Sequence, residues 1–139
     1  MTGNINPDRT QFEAFKALPR DRPVNMLNLV RVKDIAVYSD GTETPGREAY
    51  GNYGRFSAPV LERVGGSILW RGSFETVLIG PSDERWDFCF IARYPTAGAF
   101  LAMVTDPEYQ KAVVHRTAAV EDSRLIRMGE MPEGGGFSG

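Results

Sequence analysis

An α+β chain of the ferredoxin-like type, β-α-β-β-α-β with one extra helix in front, is predicted by three features of the sequence. "PVNMLNLVRV" is apolar on both alternating faces and is followed, after a loop, by a long helical pattern. "SILWRGSFETVLIG" and "RWDFCFIARY" are strand-like runs joined by the turn "PSDE", which predicts an antiparallel hairpin. A second helical stretch beginning at "PTAGAFLAMV" then leads into a last strand, "SRLIRMG".

Each element has its own reason. In "NPDRTQFEAFKAL", Asn6 is an N-cap candidate, Pro7 suits the first helical position, and Phe12, Phe15 and Leu18 share a face. "PRDRP" ends that helix. Residues 23–32 read as the first strand, buried on both sides, with Asn25 and Asn28 on opposite faces. "KDIAVYSDGTETPG" reads as a loop with a tight turn at Asp40–Gly41. Thr44–Pro45 then reads as cap and first position of a helix in which Tyr50, Tyr53, Phe56, Val60 and Val64 recur at helical spacing. Pro59 predicts a kink, and Gly65–Gly66 the end. Asp106–Pro107 restarts a helix that runs to about Val120. On the hairpin, strict alternation puts Ile68, Trp70, Phe74, Trp86, Phe88, Phe90 and Tyr94 on an apolar face under the helices. The other face is mixed, with Leu69, Arg71, Asp87, Cys89, Ile91 and Arg93. The helices cover one face only. The cheapest cover for the other is a second copy of the sheet, so a homodimer is expected.

The chain has 139 residues, which fits one domain over residues 1–130 and a flexible Gly-rich tail over 131–139. Sixteen basic residues against eighteen acidic ones leave a net charge of −2, with no basic stripe, so nucleic acid is not an expected partner. No apolar stretch approaches the roughly 18 residues that span a bilayer, and "MTGNINPDRTQF" does not read as a secretory signal. A cytoplasmic protein without a membrane partner is expected. Cys89 is the single cysteine, which rules out an internal disulfide and fits a small core residue.

"RPVNMLNLVRVKD", "GREAYGNYGRFSAPVLERVGGSILWRG" and "LIGPSDERWDFCFIARYPTAGAFLAMVTDPEYQKAVVHRTAAVEDSRLI" resemble the longer bacterial members of the family catalogued as domain of unknown function 1330. The resemblance covers residues 20–127, and "DPEYQKAVVHRTAAVEDSRLI" is its most specific part. It implies the dimeric α+β barrel fold and no established activity.

Standard catalytic and metal-binding motifs are missing: no paired cysteines, no His-Glu-x-x-His, no P-loop and no Gly-x-Ser-x-Gly elbow. No metal and no resident cofactor are expected. His115, the one histidine, borders the apolar face of the later helix. It reads either as a packed, hydrogen-bonded side chain near a helix end or as a proton carrier facing a pocket, and it is the candidate catalytic residue. Asp122, about two turns on, is expected to cap or to pair with Arg124 or Arg116. Arg71 and Asp87 are candidates from the mixed face, as ion-pair partners or, for Arg71, as a clamp on a carboxylate or phenolate. Asn28, Tyr53 and Arg116 complete the candidate polar lining. Three functions compete. One is an enzyme or binder for a small, partly apolar or acidic organic compound. Another is a cofactor-free or haem-handling monooxygenase, by fold analogy with Asn25 or Asn28, Trp70 or Trp86, and His115. The last is a non-catalytic sensor or accessory dimer.

Overall fold

The computed structural model describes residues 3–138. Met1–Thr2 and Gly139, the ends of the expected domain and tail, lie outside the described residues. The elements in chain order are α1 (Arg9–Ala17), β1 (Val24–Val32), β2 (Ile35–Val37), β3 (Glu43–Pro45), α2 (Gly46–Arg63), β4 (Ser67–Gly72), β5 (Phe88–Tyr94), α3 (Ala97–Val104), α4 (Pro107–Ala119) and β6 (Val120–Met128). The four long strands form one antiparallel sheet in the order β4-β5-β1-β6, the ferredoxin-like arrangement. No described helix is long and apolar enough to cross a membrane.

Helix starts follow side-chain capping, though not always where the sequence suggests. Asp8, not Asn6, caps α1, its carboxylate accepting from the Gln11 N–H at 2.7 Å. Asp106 caps α4, as the Asp106–Pro107 pair predicts, and Thr96 caps α3. Helix α2 has no side-chain cap, because Pro45 ends the short strand β3 and takes the cap position expected of Thr44. Its first residue instead sits hard against β1's end. The Gly46 N–H donates to the Asp34 carbonyl at 2.9 Å, and a Cβ on Gly46 would lie 1.7 Å from the Lys33 carbonyl oxygen. The stretch read as a loop is a small hairpin, β2 with β3, closed by the expected turn with Gly41 at φ 87°.

The larger hairpin differs from its sequence reading. Strand β4 stops at Gly72 and β5 starts at Phe88, so residues 73–87 are a long connection, not strand. Phe74 and Trp86 therefore lie on no sheet face. Asp87 holds the chain off the ladder. Its carboxylate accepts from the Val32 N–H at 2.8 Å, while its own N–H donates to the Val30 carbonyl at 2.7 Å. A bulge matters more. Ile68 pairs with Ala92 and Trp70 with Ile91, so Leu69 is the extra residue. Beyond it the alternation flips, putting Trp70 on the outer face and Arg71 opposite Phe90 on the helix side.

The core lies between helices and sheet in two groups. Val30, Val32, Ala49, Tyr50, Ala118 and Val120 belong to one. Val24, Met26, Val60, Ala92, Tyr94 and Met103 belong to the other. Phe90 packs on both. Much of each group is alanine, valine or methionine, so the layers are spaced without being filled, and a cavity opens between them.

Candidate functional site

The cavity holds ≈ 1500 Å³ and runs across the helix side of the sheet. Its floor contains a cross-strand row, Arg71–Phe90–Asn28–Leu125, one residue from each strand. Three strand spacings separate the ends of that row, about 14 Å. Helices α2 and α4 form the roof, with Tyr50 and Tyr53 from the first and Tyr109 and Arg116 from the second. Residues 4–9 and α1 close the β6 side.

Four of the six candidate residues line this space. Asn28 stands in the floor and donates from Nδ2 to the Met26 carbonyl at 3.0 Å, which leaves its side-chain oxygen for another donor. Tyr53 in the roof shares a 2.8 Å hydroxyl contact with Tyr109. Arg71 stands at the β4 end. Arg116 stands at the β6 end, where it donates to the Ile5 carbonyl and, at 3.3 Å, to the Ser123 hydroxyl.

The other two candidates stand apart. Asp87 belongs to a separate ≈ 210 Å³ recess and pairs with Arg47 at 3.1 Å and Arg85 at 3.3 Å. It does not meet Arg71, because the bulge moves Arg71 to the opposite face. His115 does not line the cavity. Its Nδ1 is 2.6 Å from the Tyr38 hydroxyl, and its ring stacks on Phe56 at 5.3 Å. Asp122 pairs with Arg124 at 2.8 Å and not with Arg116. Arg93, on the outer face, pairs with Glu130.

The charged side chains lining the cavity are mostly cationic, with Asp8 as the carboxylate among them. Arg71 and Arg116 have no carboxylate partner among the described residues, and Arg127, also in the lining, donates only to the Phe15 and Pro19 carbonyls. Burial pushes the Tyr50 and Tyr53 phenols well above their ordinary range; the neighbouring phenols add to this, and the Arg116 charge opposes it. Burial does the same to Tyr94. These phenols stay neutral and act as hydrogen-bond donors, not bases. The Tyr50 hydroxyl has no hydrogen-bond partner among the described residues, although its ring is fixed by stacking on Phe88 at 4.6 Å. The cavity thus offers guanidinium and phenol donors over an aromatic floor. No described group of histidine, cysteine, aspartate and glutamate is arranged to hold a metal ion.

Sequence reasoning missed Tyr50, Tyr109, Phe88 and Ser123 as parts of one place. Their helical or strand spacing marks them as core-facing, and spacing carries no sign that a core is hollow.

Comparison with known proteins identifies the family. Residues 42–129 match the family described as domain of unknown function (DUF1330). This chain belongs to the DUF1330 family. The crystal structure of methylated RPA0582 protein is 55% identical, over 97% of this chain and 100% of that one, with a TM-score of 0.93. A second structure of RPA0582, a protein of unknown function from Rhodopseudomonas palustris, is 54% identical over 94% and 99%, with a TM-score of 0.90. A dimeric protein of unknown function with a ferredoxin-like fold, from Bacteroides fragilis, aligns over 78% of this chain and 96% of its own, at 13% identity and a TM-score of 0.50. That likeness concerns the fold alone. No curated protein matches. In this DUF1330 chain the matched stretch supplies the roof, β4 and β5, while β1 and the segment closing the β6 side lie before it.

Proposed function

We propose that this DUF1330 protein is a homodimer whose cavity receives a small, partly apolar organic acid, as substrate or as ligand. The observation that carries the reading is the pairing of Arg71 and Arg116, both without a carboxylate partner among the described residues, with the aromatic wall of Tyr50, Phe88 and Phe90. A guanidinium with no carboxylate of its own offers two parallel donors to a ligand's carboxylate, and the bond is stronger beside apolar walls than in water. Asn28 and Tyr53 are the neutral polar contacts of the proposed site. Residues 1–130 would act as one unit in the cytoplasm, with 131–139 as a flexible tail. His115 serves packing in this reading, through Tyr38 and Phe56. The same placement disfavours a haem-handling role, since the one histidine is not at the cavity to ligate iron.

The dimer is supported by the outer sheet face. The row Trp70–Ile91–Leu27–Ile126 crosses all four strands and is apolar throughout. Trp70 is 53% exposed and Ile126 45% in the single chain. An apolar row of that length seeks cover, and the Bacteroides fragilis protein of similar fold is dimeric.

Calorimetric titration tests the acid reading with 3-phenylpropionate and its neutral amide as probes. The acid should bind at least about tenfold tighter, the difference of one charge-assisted hydrogen-bond pair. Equal affinity for acid and amide, or no binding of either, overturns it.

A further inference from the structure

We infer that the segment 3–8 is a strap seated on the cavity's anion subsite, and that an acid ligand's carboxylate binds Arg116 and Ser123 by displacing the Ile5 carbonyl. The inference rests on the organic-acid reading above and decides which arginine receives the acid group.

The strap is held by one apolar contact, the half-buried Ile5 side chain packing on the core group of Val30, Tyr50 and Val120, and by a few polar points. The Asn4 N–H donates to the Asp122 carboxylate at 2.9 Å, and the Asn4 side-chain amide donates to the same oxygen at 3.3 Å. The Ser123 hydroxyl donates to the Asn4 carbonyl at 2.6 Å. Arg116 donates to the Ile5 carbonyl. Helix α1, which follows, contributes no buried residue. A terminal segment held by four hydrogen bonds, three of them to ionised side chains, and by a single half-buried side chain opens more readily than the four-stranded sheet beneath it.

The atoms under the strap form a built anion site. Arg116 reaches the cavity from α4 and Ser123 from β6, and both spend their donors on neutral main-chain oxygens of the strap. Among the described residues, neighbouring Tyr50 has a phenol without a hydrogen-bond partner and the Tyr53 hydroxyl pairs with Tyr109 alone. A main-chain carbonyl is the acceptor that a carboxylate would replace. The carboxylate gives a two-pronged bond between opposite charges in place of a single bond from the guanidinium to a neutral oxygen. Arg71, at the far end and exposed, has no such enclosure. The strap therefore occupies the subsite in the free protein, and ligand affinity is reduced by the fraction of molecules in which it is closed.

Gly3 offers a way to lift the strap without altering any cavity residue. A Cβ there would lie 1.8 Å from the Glu121 carbonyl oxygen and 2.8 Å from its carbon, and main chain cannot yield cheaply. Gly3→Ala should dislodge the strap, and Asn4→Ala should loosen it more mildly by removing one bond to Asp122. The test is titration of full-length wild-type, Gly3→Ala and Asn4→Ala proteins with 3-phenylpropionate, with hydrogen exchange of residues 3–8 measured with and without the acid. Gly3→Ala should bind the acid about fivefold tighter, with Asn4→Ala between. In wild type, saturation should speed exchange over 3–8 while slowing it over the Tyr50–Ser57 turns of α2. If the acid binds but exchange over 3–8 slows or stays unchanged, and Gly3→Ala binds no tighter, the strap inference falls and the organic-acid reading stands. If the acid binds none of the three proteins, both fall.

Discussion

Three phenols carry the clearest consequence at the scale of single residues. Tyr50, Tyr53 and Tyr94 all have folded-state values raised above the ordinary 10 by burial. A raised phenol binds its proton more tightly when folded, so its contribution to stability is full below pH 10. It is lost as pH climbs from there toward the folded value. Two outcomes follow. Unfolding free energy should fall steeply above pH 10, less so in Tyr53→Phe. The phenolate absorbance of these three rings should appear only together with unfolding. A smooth titration of all tyrosines in a still-folded protein would contradict the burial. His115 makes a second case. Its hydrogen bond to Tyr38 is 2.6 Å long and partly buried, so Tyr38→Phe should cost about 1 kcal/mol in a urea melt. It should leave organic-acid binding untouched, because neither ring faces the cavity. His115 also shows what one sequence cannot decide. Helical spacing places it at the border of an apolar face, and that border is equally the edge of a pocket or the seam of a surface cluster. Only the position of Phe56 and Tyr38 separates the two.

The legible and the illegible divide cleanly at the scale of elements. Strands β1 and β5 and helices α2, α3 and α4 follow from apolar period, caps and glycine stops, because each of those signals is local. The bulge at Leu69 does not follow. A two-residue period says that Arg71 shares a face with Asp87, and one inserted residue reverses that. The reversal carries Arg71 into the cavity, so the most consequential detail of β4 depends on its pairing with β5 and not on β4's own sequence. The connection 73–87 escaped for a related reason. "GSFETVLIG" has the composition of a strand, but its partner in β5 ends at Phe88, since Asp87 is engaged with the end of β1. The seating of α2 is equally non-local. Gly46 has no room for a methyl group beside the Lys33 carbonyl, so Gly46→Ala should push the helix off β1 and cost about 1–3 kcal/mol in a denaturant melt. A loss under about 0.5 kcal/mol, the scale of an ordinary surface change, would mean that α2 and β1 are not seated this closely.

The whole molecule puts its two sheet faces to different uses. Inner and outer rows alternate along the same strands: Arg71–Phe90–Asn28–Leu125 faces the helices, and Trp70–Ile91–Leu27–Ile126 faces away. The inner face is covered without being filled, which leaves room for a ligand. The outer face is apolar without cover, which suits a second sheet. Leu78 and Ile79, in the long connection after β4, are 91% and 93% exposed in the single chain, so apolar surface extends beyond the sheet itself. Leu27 is the sharpest place to test assembly. It lies on the inner strand β1, flanked by Ile91 and Ile126, with its side chain on the outer face. A glutamate there would remain solvated in an isolated chain but would be buried without a partner between two sheets. Leu27→Glu should therefore keep its circular dichroism spectrum and melt as a folded monomer. Its dimer dissociation constant should rise at least about thirtyfold, as expected for a central interface residue. Light scattering behind size exclusion reads the mass directly. An unchanged dimer in Leu27→Glu would mean that the two copies meet elsewhere and that the outer face has another cover.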